Sequence, residues 1–161
     1  MKILVFSDSH GRPDLMLAAA ELERPDHVFF LGDGLRDVEL LASLQPGLPS
    51  NAVRGNCDWG EDQPLTRLVE LEGFRFFLTH GHLQGAKSGL DDLAAAGRQA
   101  GADLVCFGHT HRAFDGYGTF GVRLLNPGTV GGPYGQRTTY GVITAEPGVL
   151  KTEIKEDADP A

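Results

Sequence analysis

Cysteine is scarce in this sequence: Cys57 and Cys106 are the only two among 161 residues. They do not make the framework of a small secreted domain, so both are expected as free thiols in a reducing compartment. Lysine and arginine nowhere cluster, and the net charge is −8. That balance argues against a long nucleic-acid backbone as the main partner. No apolar run approaches the ~20 residues that a transmembrane helix needs. The short apolar stretch after Lys2 meets polar Ser7-Asp8 at once, so it is not the core of a signal peptide. Repeats and linkers are also missing. What remains is one domain over residues 1–161, expected in the cytoplasm, with an acidic tail at 156–161 that should fray. Its hydrophobic content of 41% and charged content of 22% are those of an ordinary globular chain with a real core. No membrane contact is expected, and a homo-oligomer is left open.

What is present is a series of apolar runs that stop in chemistry-bearing residues. Ile3-Leu4-Val5-Phe6 reads as a buried strand and ends in Ser7-Asp8-Ser9-His10-Gly11. Along an extended chain positions i and i+2 point the same way, so Asp8 and His10 can reach one point, as metal ligands do. Gly32-Asp33, Gly55-Asn56-Cys57-Asp58, His80 and Gly108-His109-Thr110-His111 repeat the design. Open α/β sheets place their ligand sites at such carboxyl edges.

Between these points the chain alternates. Strands are expected over 3–7, 27–31 and 51–53, with a helix from Pro13 to the Arg24-Pro25 break and another over 35–44. The first helix offers Leu15, Leu17, Ala18, Ala19 and Leu22 as its apolar face, and the second offers Val38, Leu41 and Leu44. Strand–helix alternation predicts right-handed crossovers and parallel pairing. The pattern then changes to a tight hairpin of 66–71 and 74–79 around Glu72-Gly73, a helix over 89–100 and a strand over 104–107. Short antiparallel strands follow over 113–116, 122–125, 139–144 and 149–154. The architecture that fits is two packed mixed β-sheets with helices outside, an α/β/β/α arrangement with the ligand loops along one edge.

A two-metal centre needs an anion shared between cations roughly 3.5–4 Å apart. Asp33, at a glycine-flanked strand end, is the candidate bridge. Asp8 and His10 with a third ligand would complete one metal, and Asn56 with two histidines the other. Imidazole and oxygen ligands without thiolate favour Mn²⁺, Fe²⁺ or Zn²⁺ over Ca²⁺.

Taken together, these motifs resemble the calcineurin-like metallophosphoesterase superfamily, and the Gly-Asn-Cys-Asp turn and chain length resemble its small bacterial and archaeal phosphodiesterase branch. The resemblance implies a four-layer sandwich that holds two divalent metals, here taken as Mn²⁺ first, with Fe²⁺, Zn²⁺ or Ni²⁺ as alternatives. It assigns Asp8, His10, Asp33 and His111 to one metal and Asp33, Asn56, His80 and His109 to the other. It implies hydrolysis of a small phosphodiester by a metal-bridging hydroxide, with Asp33, Asn56, His80 and His109 as the catalytic set. A phosphomonoesterase is the alternative activity. A binding scaffold like the retromer subunit of this fold is the alternative from another class.

Two departures stand out. Many members of the family carry histidine where this chain has Cys57, and a thiol of ordinary pKa is a poorer proton donor near neutrality. Cys57 is read as packing, with substrate contact as its functional alternative. The acid that phosphatases place three residues after the bridging aspartate is here Arg36; Asp37 is read as a surface helix residue. Arg54 resembles a phosphate-binding arginine, with a structural ion pair as the competing role. Arg12 and Arg112 flank ligand motifs and are read as facing solvent, with contact to substrate anions as the functional alternative. His82 is read as supporting a ligand by a hydrogen bond, His27 as inert, and Asn126-Pro127-Gly128-Thr129 as either a plain turn or a substrate contact.

Overall fold

The computed structural model describes residues 1–156. The chain runs β1 (Lys2–Phe6), α1 (Pro13–Glu23), β2 (His27–Phe30), α2 (Leu35–Leu44), β3 (Ser50–Ala52), β4 (Thr66–Leu71), β5 (Phe74–Thr79) and α3 (Asp91–Ala100). It continues through β6 (Leu104–Cys106), β7 (Phe114–Tyr117), β8 (Arg123–Asn126), β9 (Thr139–Glu146) and β10 (Val149–Glu156). Of the tail expected to fray, Glu156 closes β10, and residues 157–161 lie outside the described residues.

The strands form two five-stranded sheets, in the orders β10-β9-β1-β2-β3 and β4-β5-β6-β8-β7. Both are mixed. β1, β2 and β3 pair in parallel, and β9 runs antiparallel to β1 and β10. In the second sheet β5, β6 and β8 are parallel, with antiparallel β4 and β7 at the edges. The parallel β6–β8 pair corrects the expectation that the last third holds only antiparallel strands. The intervening β7 takes the edge, so its hairpin returns β8 to the middle of the sheet.

Period-2 alternation divides each central strand between two cores. In β1, Ile3 and Val5 enter the space between the sheets with Phe29, Phe76, Leu78 and Cys106, while Leu4 and Phe6 meet α1 and α2. Both faces are covered, which is why β1 reads as an uninterrupted apolar run. On the far side Leu93 and Ala94 of α3 cover Val105, Phe107 and Leu124. The layers are therefore helix, sheet, sheet, helix.

The helices depart from the sequence reading in two places. α1 buries Leu15, Met16, Ala19, Ala20 and Glu23, and Leu22 is 69% exposed. The buried stripe is set by Glu23, whose carboxylate accepts hydrogen bonds from Lys155 Nζ at 2.8 Å, Tyr140 Oη at 3.0 Å and Lys2 Nζ at 3.3 Å. A paired acid can occupy a face that hydrophobicity alone would give to leucine. In α2, Leu44 lies in the last turn, beyond the sheet, and is exposed, whereas Asp37 is buried.

Candidate metal centre

The loops after β1, β2, β3, β5 and β6 converge at the carboxyl edges of the two sheets. Two groups of side chains meet there: Asp8, His10 and His111 in one, Asp33, His80 and His109 in the other, with ligand-capable atoms within 4.8 Å of one another in each group. The groups abut, since Asp8 Oδ1 lies 3.9 Å from His80 Nε2. Asp33 Oδ2 is 3.3 Å from His80 Nε2, and Asp33 Oδ1 accepts the Cys57 N–H at 2.8 Å.

The two oxygens of Asp8 differ. Oδ2 accepts Ser7 Oγ–H at 2.5 Å and the His109 N–H at 3.1 Å. Oδ1 is buried and has no hydrogen-bond partner, although His111 Nε2 and His10 Nε2 lie 3.3 and 3.7 Å away. Imidazole nitrogens also face each other in pairs, His10 Nε2 to His111 Nε2 at 3.3 Å and His109 Nδ1 to His80 Nε2 at 3.2 Å. Lone pairs that converge on one another and on a bare carboxylate oxygen suit a cation, so the residues present fit divalent metals of the Mn²⁺, Fe²⁺, Zn²⁺ or Ni²⁺ kind.

Supporting groups fix these orientations. His80 Nδ1 bonds the Leu31 carbonyl at 2.6 Å and His111 Nδ1 bonds Gln136 Oε1 at 2.6 Å, which turns each Nε2 inward. Asp37, read from sequence as a surface residue, accepts Ser9 Oγ–H at 2.6 Å and the Gly11 N–H at 2.8 Å, and so holds the Asp8–Gly11 loop. Asn126 donates to the Gly108 carbonyl at 3.1 Å and to Thr110 Oγ1 at 3.0 Å, and Thr129 donates to the Asp8 carbonyl at 2.7 Å. Both are fully buried. The Asn126–Thr129 turn thus braces two ligand loops from beneath.

Asp58 is the largest omission from the sequence reading. Its buried carboxylate accepts four backbone N–H groups: Oδ2 from Asp33 at 2.7 Å and Gly55 at 2.8 Å, Oδ1 from Gly34 at 2.9 Å and Leu35 at 3.1 Å. It ties the Asp33 loop and the start of α2 to the Gly55 loop. Gly55 permits that approach, because a Cβ there would stand 2.6 Å from the Asp33 nitrogen and collide with its carboxylate. An acid closing a glycine-led loop opposite a helix start was the available signal.

The ligand backbones are strained. Among described residues, eight non-glycines have positive φ, and five of them are Asp8, His10, Asp33, His109 and His111. Such conformations cost roughly 1–3 kcal/mol each and gather where function over-determines the backbone. One consequence is testable. In His10→Gly, φ +43° is free of strain, so the metal-free protein should gain up to about 1 kcal/mol and melt roughly 2–4 °C higher, while losing metal affinity. A lower melting point of the metal-free variant by calorimetry would contradict this reading.

Charge is arranged around the same atoms. Burial opposes ionisation of Asp8, but His10, His111 and His80 outweigh it and hold the carboxyl below the usual range. Burial also opposes the charged form of His80, and the Asp33 and Asp8 carboxylates outweigh it, so this imidazole is raised. The Asp8 carboxylate, 3.3 Å away, raises His111 against burial. Desolvation, then the charges of His80 and Lys87, pull His109 down to about 4.

The remaining expected site residues line the rim. Asn56 is exposed, and its Nδ2 lies 3.6 Å from Cys57 Sγ. Arg54 is half-buried and donates to the Glu61 carbonyl at 3.4 Å. His82 supports no ligand through Nδ1, which is buried without a partner; its ring packs at 5.4 Å from His80, so it is a wall residue. His27 bonds Asn51 Oδ1 at 2.6 Å, far from this chemistry. A cleft of about 390 Å³ opens over His10 and Asp33, with Cys57 and the 86%-exposed Trp59 on its other side. Both cysteines are free, Cys57 exposed and Cys106 buried. Desolvation and the neighbouring Asp33 carboxylate push the Cys57 thiol above its ordinary value.

Two mixed sheets between helices, with paired histidine–carboxylate groups at their common edge, define a metallophosphoesterase fold. The chain belongs to the calcineurin-like phosphoesterase superfamily, whose domain model matches residues 1–148. It is 32% identical to the probable metallophosphoesterase YsnB of Bacillus subtilis over 148 residues, 91% of this chain and 85% of that one. The solved structure of YfcE, a phosphoesterase from Escherichia coli, matches 89% of this chain and 88% of that one at 26% identity and a TM-score of 0.67. Vps29 of Entamoeba histolytica, solved with Zn²⁺, shares the fold at a TM-score of 0.77 and 23% identity, covering 97% of this chain and 99% of that one. Among the described residues no helix is long and apolar enough to cross a membrane.

Proposed function

We propose that this chain is a single-domain, cytoplasmic, dinuclear phosphodiesterase that prefers Mn²⁺. The observation that carries the reading is the bare, buried Asp8 Oδ1 within 3.9 Å of three imidazole nitrogens, at the seam of two ligand groups. Asp8, His10, Asp33 and His111 would hold one cation, and Asp33, Asn56, His80 and His109 would hold the other. Two divalent ions there would lower the pKa of water and neutralise phosphoryl oxygens.

The rest falls to the chain itself. Asp33 supplies the shared negative charge. Phe6, Leu31 and Phe107, all buried, immediately precede the Asp8, Asp33 and His109 loops and anchor them in the cores. Arg54, beside the Asn56 loop, would meet a phosphate oxygen from the rim. Cys57 is protonated near neutrality and donates poorly, so esters with good leaving groups are favoured, and diesters over alkyl monoesters. Cys57→Ala should therefore change hydrolysis of an aryl diester by less than about tenfold, or 1.4 kcal/mol of barrier. A thousandfold loss with metal content intact would give the thiol a chemical role.

The name phosphodiesterase given to YfcE supports the diester preference. The likeness to Vps29 keeps a scaffold as the rival. Chelation and readdition of metal separate the two. Hydrolysis of bis(4-nitrophenyl) phosphate should vanish with chelator and return with Mn²⁺, whereas a protein inert toward every phosphoester with Mn²⁺, Ni²⁺ or Zn²⁺ is a scaffold.

A further inference from the structure

A second cavity, of about 590 Å³, shares no lining residue with the cleft over His10 and Asp33. Ala86, Leu90, Phe107 and Phe114 give it an apolar interior, and Lys87 and Arg112 stand exposed at its rim. Thr110 also lines it, and Thr110 separates His109 from His111 in the chain, so the cavity begins one residue from both ligand groups. The Lys87 charge is felt at both histidines. Neither Lys87 nor Arg112 has an acidic partner among the described residues, in a chain whose net charge is −8. Two unpaired cations over an aromatic hollow match a ligand with both a ring and an anion.

We propose that this cavity binds one ester substituent of the substrate, and that the substituent is a nucleoside carrying a second phosphate. The inference rests on the phosphodiesterase reading and names its substrate class. With the reacting phosphoryl group at the ligands, the attached nucleoside passes over Thr110, its base enters the apolar hollow beside Phe114 and Leu90, and its second phosphate meets Lys87 and Arg112.

Binding to the metal-free protein tests the cavity without any turnover. By calorimetry, thymidine 3′,5′-bisphosphate should bind at least tenfold more tightly than thymidine or inorganic phosphate alone. The double variant Lys87→Ala/Arg112→Ala should weaken it about tenfold; both side chains are exposed, so the fold is not at stake. In the Mn²⁺-loaded enzyme, the same variant should cut about tenfold the ratio of kcat/KM for the 4-nitrophenyl ester of thymidine 3′,5′-bisphosphate, esterified at the 5′-phosphate, to that for bis(4-nitrophenyl) phosphate. Binding that is absent, matched by inorganic phosphate, or unchanged in the variant overturns the proposal even if bis(4-nitrophenyl) phosphate is hydrolysed. Binding as expected without hydrolysis of any ester upholds the cavity and rejects the phosphodiesterase reading instead.

Discussion

Asp33→Asn should abolish hydrolysis, with a loss of at least about a thousandfold, or roughly 4 kcal/mol of barrier, and with fewer than two metals retained. The substitution is nearly isosteric, so this is a test of charge. The asparagine carbonyl can still accept the Cys57 N–H that Asp33 Oδ1 accepts at 2.8 Å, which keeps the Gly55 loop in place. The other end changes sign. Asp33 Oδ2, 3.3 Å from His80 Nε2, becomes an amide nitrogen that offers no lone pair to a cation. Metal analysis and kinetics on one preparation decide it. Two tightly held ions with full activity would remove Asp33 from the centre.

Asp58→Asn should instead fail through the fold. An amide has one oxygen for four N–H donors, so two of the donors from Asp33, Gly34, Leu35 and Gly55 would face an NH₂ group. Losing two buried hydrogen bonds to a charged acceptor costs about 3 kcal/mol, or roughly 10 °C of melting temperature in a chain of this size. Activity should fall about a hundredfold as Asp33 shifts. Thermal melts and kinetics measure both, and a variant that melts within 2 °C of the parent would show that Asp58 is not the tie between these loops. Unlike Asp33→Asn, it should recover part of its activity at lower temperature.

The contrast between these residues shows what the sequence made legible. Asp8, His10, Asp33, His80, His109 and His111 each end an apolar run, and strand ends are set by hydrophobicity, so their convergence could be read before any coordinates. Layering and most pairings followed from the same runs. Asp58 and Asp37 were not legible, because Asp58 serves through backbone N–H groups, which every residue carries, and Asp37 through one such N–H and a distant serine hydroxyl, and no motif marks either. The buried face of α1 was misjudged for a related reason: Glu23 is buried by partners in β1, β9 and β10 that lie far away in sequence. Positive φ at five ligands is likewise invisible in a string of letters, since only glycine advertises that conformation. The cavity lined by Lys87 and Arg112 joins segments that no spacing connects.

The central claim is that two cations act together at the Asp8–Asp33 edge. Titrating Mn²⁺ into the metal-free protein while following bis(4-nitrophenyl) phosphate hydrolysis tests it most directly. The account predicts two equivalents bound per chain, with activity negligible until the second site fills. A single equivalent that gives full activity, or two bound equivalents that give none with any phosphoester, would contradict it.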